Sequence, residues 1–390
     1  MRELLKQRAV LQLINSGRAT SQIHISQALL IARNTVNDII QEMLEDGLIE
    51  QTALQRHGRG RPIQHYRLRQ RKPIIAIQWH GSVYNAALFK NGSAGTLHRR
   101  NSPLLSRPSD ALRALQQLRD RILQEAGLAL KDIAGIVLAL NAVKTRSGSF
   151  SSSVIPWVRE LTAEQISEAL GCTVRVDLTN TAVAAEMRAR SSENAQTLAI
   201  LNVGDGVSAH GESVEHTWGT RHTFRGELGH IVVDPSGPQC GCGNTGCLEA
   251  LISGPAMLKR VEALPAGAAR DELRKASEES LQSMFDALER VDAAGDRTAE
   301  KLVGSFLDRV GWGLGTLVNV VGPDVVVLTG YALQGRVKWH ERVRAAAVRY
   351  AIAPTMETVR LESPRATVED QLALLAGNFV YLSTIEELQR

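Results

Sequence analysis

Three of the four cysteines in this 390-residue chain fall between positions 240 and 247. They lie in the run GHIVVDPSGPQCGCGNTGCLE, which extends from Gly229 to Glu249. Cys240, Cys242 and Cys247, with His230 ahead of them, match a closed tetrahedral Cys₃His site, a donor set typical of structural Zn²⁺. Gly241, Gly243 and Gly246 are expected to let the backbone turn tightly enough for the three thiolates to converge. All four coordination positions are filled by the protein, so the expected metal is a staple without the open position that Lewis-acid catalysis needs. The alternatives are buried free cysteines beside a solvated histidine, or a zinc or redox sensor whose thiolates oxidise once metal leaves. The remaining Cys172 stands alone and reads as a buried apolar residue. Residues 1–16 mix charge and apolar groups too closely for a signal peptide, and no apolar run approaches about 18 residues. The expected location is a reduced cytoplasm.

The net charge of +4 hides an asymmetry. Residues 1–72 carry 12 Lys/Arg against 6 Asp/Glu, so the positive excess belongs to the N-terminus. That imbalance directs attention to nucleic acid. Apolar spacing predicts helices over residues 2–15 (Leu4, Val10, Leu11, Ile14), 21–29 (Ile23, Ile25, Ala28, Leu29) and 33–45 (Val36, Ile40, Leu44). The third helix carries Arg33, Asn34, Thr35, Asn37, Asp38 and Gln41 away from its apolar stripe. Arginine suits guanine, and Asn and Gln suit adenine. A β-like segment at residues 48–50, a turn HGRGRP (57–62) and a return at 66–69 complete the layout of a winged helix-turn-helix. Arg59 and Arg61 on the wing are expected to contact backbone or a narrow minor groove. Asp38 and the weak cap at Ala32 count against this reading. A purely protein-binding winged helix is the alternative.

Residues 70–73 read as a linker, and residues 74–390 as an α/β body of two related halves. Strands are expected over 73–89 (two, joined near His80), 133–140, 173–176, 198–202 and 325–328. Helices are expected over 109–127, 161–170, 253–264, 269–291, 298–319 and 368–380. The charged, alanine-rich stretch 265–298 reads as a surface insertion.

The segments GELGH (226–230) and CxCGxxGCLE (240–249) resemble the signature of the ROK family, which holds sugar kinases and sugar-responsive repressors. With the winged helix in front, the whole chain is similar to its glucose, N-acetylglucosamine and xylose regulators. The resemblance implies an actin-like (ribonuclease H-like) two-lobed fold. The first lobe would be about 74–190 plus the C-terminal helix 368–390, and the second about 191–367, with the zinc loop at 226–249. It also implies a sugar between the lobes, held by Glu227, His230 and Glu249. His230 would use one ring nitrogen for metal and the other for sugar. A structural role in fixing the zinc loop is the alternative for the two glutamates.

The resemblance also permits a test for kinase chemistry, which needs a carboxylate base and Gly-rich turns that admit phosphate. The family's D-x-G-G-T loop corresponds here to Gln78-Trp79-His80-Gly81-Ser82. Its catalytic aspartate corresponds to Thr179 or, in another alignment, Leu178, with Asp177 close by. The G-x-G loop survives as Gly204-Asp205-Gly206, but Asp205 would repel phosphate. A late G-G pair is Thr329-Gly330, and a P-G turn is Asn141-Ala142. Loss of the base alone costs about 10²–10⁴ in rate, so the chain is not expected to be an enzyme. The expected function is a sequence-specific DNA-binding regulator, a repressor of sugar-utilisation genes responsive to a sugar or sugar phosphate. It would act as a homodimer, or a dimer of dimers, on a palindromic operator with half-sites about 34 Å apart or a multiple of that. A bifunctional ATP-dependent sugar kinase and a regulator governed by a protein partner are the rivals.

Overall fold

The computed structural model describes residues 2–17, 19–52, 63–81, 83–101, 105–152, 154–178, 182, 185–186, 189–190, 197–214 and 221–389. Two compact units emerge: residues 1–191 with 366–390, and residues 192–365.

The first unit begins with three helices, α1 (Arg2–Ser16), α2 (Gln22–Leu29) and α3 (Arg33–Glu45), then β1 (Ile49–Gln51) and β2 (Tyr66–Leu68), which pair antiparallel. Ser21 caps α2 by accepting from the His24 amide at 3.4 Å, whereas Ala32 gives α3 no side-chain cap. Val10, Leu11, Ile14, Ile25, Val36, Ile40 and Met43 close one small core. Ala28, expected inside, is exposed, because α2 presents a narrow stripe centred on Ile25.

A second layer is the sheet β10-β7-β3-β4-β5, with β6 also on β4. Its strands are β3 (Ile74–His80), β4 (Val83–Lys90), β5 (Ser93–Ala94), β6 (His98–Asn101), β7 (Gly135–Leu140) and β10 (Val174–Asp177), while β8 (Val143–Lys144) and β9 (Phe150–Ser151) pair separately. β3 pairs antiparallel with β4 and parallel with β7, which pairs parallel with β10. Both faces of this sheet are covered, so β7 reads GIVLAL with every residue buried. Ile75, Ile77, Ile136 and Leu138 meet Leu115, Leu118 and Ile122 of helix α4 (Pro108–Ala126) on one side. Ile74, Ala76, Val137 and Ala139 meet Leu372, Leu375 and Phe379 on the other.

Those last residues belong to the helix Val368–Glu387, which runs well past the expected end at 380. Its later turns do a second job: Tyr381 and Ile385 pack on the core of α1–α3. Asn15 adds a 3.0 Å side-chain hydrogen bond from Nδ2 to Asn378 Oδ1. Cys172 is half-buried against the first sheet's core, less enclosed than expected, and burial raises its thiol pKa.

The second unit repeats the strand plan. Its sheet is β13-β12-β11-β14-β15, from β11 (Thr197–Val203), β12 (Val207–Val214), β13 (Arg221–Gly226), β14 (Val325–Thr329) and β15 (Arg360–Glu362). As β3 does, β11 pairs antiparallel with the following strand and parallel with the strand on its other side. Strands β12 and β13 escaped the sequence reading, because their polar alternation gives no apolar run.

The expected helix 269–291 is two helices, Ala268–Glu279 and Leu281–Ala293. Ser280 is extended between them, and its hydroxyl accepts from the Ser283 amide at 3.0 Å. The expected surface insertion is also corrected: Leu273, Met284, Phe285 and Leu288 are fully buried. Helical spacing gathers these few apolar residues onto one stripe, which average composition conceals. Among the described residues no helix is long and apolar enough to cross a membrane.

Candidate functional site

The loop after β13 brings its four candidate ligands together. The donor atoms of His230, Cys240, Cys242 and Cys247 all lie within 4.8 Å of one another. Cys242 Sγ and Cys247 Sγ are 3.7 Å apart, and Cys240 Sγ is 3.6 Å from His230 Nδ1. A tetrahedral ion with metal–sulfur bonds of about 2.3 Å and a metal–nitrogen bond of about 2.0–2.1 Å demands separations of about 3.8 and 3.6 Å. The donor set therefore fits a metal of that size, held by Nδ1 of the imidazole.

Backbone geometry builds this arrangement. Hydrogen bonds from the Cys240 amide to the Asn244 carbonyl (2.8 Å) and from the Gly246 amide to the Pro238 carbonyl (2.8 Å) fold the loop on itself. Gly246 has φ +73°, and a Cβ there would lie 1.5 Å from the Asp234 carbonyl oxygen. Gly243 also adopts positive φ, but Gly241 does not, so only two of the three expected glycines serve a left-handed turn. Burial and the neighbouring thiols push Cys247 up to about 12, burial raises Cys240, and the Asn244 amide lowers the exposed Cys242. Three adjacent thiols resist joint ionisation unless a cation compensates them.

The residues matching sugar contacts flank this loop. Glu227 is mostly exposed, and its Oε2 lies 3.9 Å from His230 Nε2, the ring nitrogen turned away from Cys240. One ring edge thus faces the thiols and the other faces a carboxylate. Glu249 is buried and accepts from the Val207 amide at 3.0 Å. It joins the end of the cysteine loop to the residue that follows Gly204-Asp205-Gly206.

That glycine turn is occupied by a residue the sequence reading missed. Tyr331, directly after Thr329-Gly330, donates its hydroxyl to Asp205 Oδ1 at 2.7 Å. Burial first, and then Asp205, raise the phenol well above its ordinary value. A Cβ on Gly254 would lie 2.0 Å from the Tyr331 hydroxyl, and the Gly254 amide donates to the Gly204 carbonyl at 2.7 Å. The ring therefore rests in space that the small residues leave open. The only advance signal was its place beside the glycine pair.

In the first unit, Gln78 is buried and donates from Nε2 to Gln371 Oε1 of the C-terminal helix at 2.9 Å. Leu178 packs against the first core, and Thr179 lies outside the described residues. Asp177 accepts from Asn378 Nδ2 at 3.2 Å. Asn141 is exposed, its carbonyl accepting from Ser152 Oγ at 2.6 Å. On α3, Arg33, Asn34, Asn37 and Gln41 are exposed together with Asp38, while Thr35 is half-buried. Gln22 on α2 donates to Asn37 Oδ1 at 3.0 Å, which orients that amide. Arg59 and Arg61 lie outside the described residues.

A family model described as "ROK family" matches residues 75–383. The chain is 23% identical over 326 residues to the xylose repressor of Caldicellulosiruptor bescii, covering 82% of this chain and 81% of that protein. It is 28% identical over 136 residues to a glucokinase of Thermotoga maritima, covering 33% of this chain and 39% of the enzyme. Among solved structures, a ROK family transcriptional regulator homologous to the Escherichia coli MLC protein superposes with a TM-score of 0.68 at 20% identity. That match covers 99% of both chains.

Proposed function

The chain belongs to the ROK family, and on that premise we propose that it is a sugar-responsive, DNA-binding transcriptional repressor without kinase activity. The observation that carries the reading is the Tyr331–Asp205 hydrogen bond across the Gly204–Gly206 turn. A carboxylate and a half-buried phenol stand where a sugar kinase would need room for anionic phosphate. The buried Gln78 supports the same conclusion, because an amide hydrogen-bonded to Gln371 stands where the family's first phosphate loop carries an aspartate.

Residues 1–69 form the DNA-binding module in this proposal, 70–73 the linker and 74–390 the body. Arg33, Asn34, Asn37 and Gln41 read base edges, with Thr35 beside them, and Arg59 and Arg61 contact the backbone or minor groove. The protein acts in a reducing cytoplasm as a homodimer, or a dimer of dimers, on a palindromic operator. Zn²⁺, held by His230, Cys240, Cys242 and Cys247, supplies a rigid cross-link and no chemistry at the sugar. His230 Nε2 donates to a sugar hydroxyl, and Glu227 and Glu249 accept from others. The proton on Nε2 is available because metal takes Nδ1.

The test is binding of the purified chain to its own upstream DNA, titrated with sugars and sugar phosphates, beside an ATP-turnover assay with the same panel. Release from DNA by one compound, with no turnover, supports the proposal. ATP consumption with any hexose overturns the non-enzyme part, and operator affinity unmoved across the panel overturns sensing. Asn37→Ala should weaken operator binding by about tenfold through loss of adenine contacts.

A further inference from the structure

A cavity of about 220 Å³ opens where the helix-turn-helix module, the linker and the first sheet meet, inside one compact unit. It has room for roughly seven water volumes. Leu48, Ile74 and Phe379 give it an apolar floor. Its charged lining is unbalanced: Arg69, Arg71 and Lys72 face a single carboxylate, that of Glu387.

The partners of these cations leave positive charge to spare. Arg71 Nη1 meets Glu387 Oε1 at 3.3 Å in a pair whose side chains are 55% and 45% exposed, which makes it weak. Lys72 Nζ donates to the Lys131 carbonyl at 3.0 Å, a neutral partner. The Arg69 guanidinium has no acidic partner among the described residues and lies against Gly47, where an added Cβ would be 3.0 Å from Nη1. The lining also includes the hydroxyls of Ser383 and Thr384, which donate to their own helix carbonyls at 2.9 Å each. Arg175 Nη2 also donates to Ser383 Oγ at 3.4 Å, which leaves one lone pair on Ser383 and those on Thr384 as acceptors for ligand hydroxyls.

Cations for an oxyanion, acceptors for hydroxyls and a small apolar floor define one ligand chemistry. We propose that this cavity binds a small phosphorylated polyol and thereby fixes the helix-turn-helix module against the first sheet. The ligand touches both parts at once: Leu48 and Arg69 come from the module, and Phe379, Ser383 and Thr384 from the helix that seals the sheet. Its phosphate forms charge-assisted hydrogen bonds with Arg69 and Arg71. Glu387 opposes it, both by repulsion and by competing for Arg71. The effect on DNA rests on the DNA-binding reading above; occupancy of the cavity does not.

The test is calorimetric titration of the full chain with glycerol 3-phosphate at constant ionic strength and without DNA, with glycerol and inorganic phosphate as parallel arms. Saturable binding is expected for glycerol 3-phosphate, weaker binding for phosphate and none for glycerol. Arg69→Gln should weaken binding by about tenfold, the worth of one hydrogen bond to a charged group. Glu387→Gln should tighten it, a change of sign that general destabilisation cannot produce. Absence of saturable binding in the unaltered chain overturns the proposal, as does binding that neither substitution changes. Operator affinity is then measured at saturating glycerol 3-phosphate. Intact binding with unaltered DNA affinity overturns the coupling alone, and failure to bind DNA at all points to the reading it rests on.

Discussion

The two sheets of the body share a strand plan, but the loops at their ends have been put to different uses. In the second unit, the loop after β13 is folded over itself and carries four convergent metal donors. Its neighbouring glycine turn is stitched to it through Glu249, which accepts from Val207, and through the contact between Gly254 and Gly204. In the first unit, the matching turn at Gln78–Gly81 is braced by Trp79, whose Nε1 donates to the Gly81 carbonyl at 2.9 Å. Its buried amide instead reaches out to the C-terminal helix. A common scaffold thus gathers four potential metal donors at one end and makes the other a fastening point. The strand cores alone would not distinguish these roles.

The contrast is sharpest at Gly246. Alanine there combines a left-handed φ with a Cβ in the space of the Asp234 carbonyl. Gly246→Ala is expected to destabilise the chain by more than about 3 kcal/mol and to abolish metal binding, read by thermal unfolding and metal analysis. A melting point within a degree of the unaltered chain would show that the loop tolerates rearrangement.

Next in size is Cys247→Ser, expected to remove the bound metal and about 2–4 kcal/mol of stability. A chelator should lower the melting temperature of the unaltered chain and leave that of the variant unmoved. If both respond alike, the metal lies elsewhere.

The metal-free chain should also show a signature of Cys247, whose folded thiol is raised from 9.0 to about 12. The folded state then holds a proton that the unfolded state releases, so the contribution is complete below pH 9 and is lost as pH rises from 9 toward 12. Unfolding of the stripped chain across this range should show the decline, and Cys247→Ser should make it shallower, leaving the part contributed by the raised Cys240 thiol and Tyr331 phenol. A pH-independent profile would contradict the assignment.

The smallest effect belongs to the first unit. Gln78→Asp removes the donor to Gln371 and buries a carboxylate, at a cost of about 1–3 kcal/mol. It should restore no ATP turnover, since Tyr331 still occupies the glycine turn of the other unit. Turnover in this variant would mean that the first loop alone had silenced the enzyme.

Much of this contrast is written in local sequence patterns. The candidate metal ligands are legible because cysteine is scarce and its spacing is tight, and α1–α3 because Val10, Ile25, Val36 and Ile40 recur at helical intervals. What escapes depends on distance along the chain. Gln78 and Gln371 are 293 residues apart, and Tyr331 and Asp205 are 126 apart, so neither pairing leaves a local pattern. The break at Ser280 is hidden for another reason: one extended residue between two good helix formers barely changes the average propensity. Strand β12 is missed because polar residues interrupt its sequence VSAHGESV and leave no apolar run.

The helix Val368–Glu387 also sets an order of manufacture. The core of α1–α3 is closed in part by Tyr381 and Ile385, and 363 residues separate Asn15 from its partner Asn378. At about 5–20 residues per second of synthesis, that interval lasts on the order of 20–70 seconds. During it, α1–α3 are without the helix that completes their core. The apolar side chains that await Tyr381 and Ile385 are then available to chaperones. The three helices are translated long before the segment that closes their core, so a chain terminated ahead of Val368 lacks the means to hold them in place.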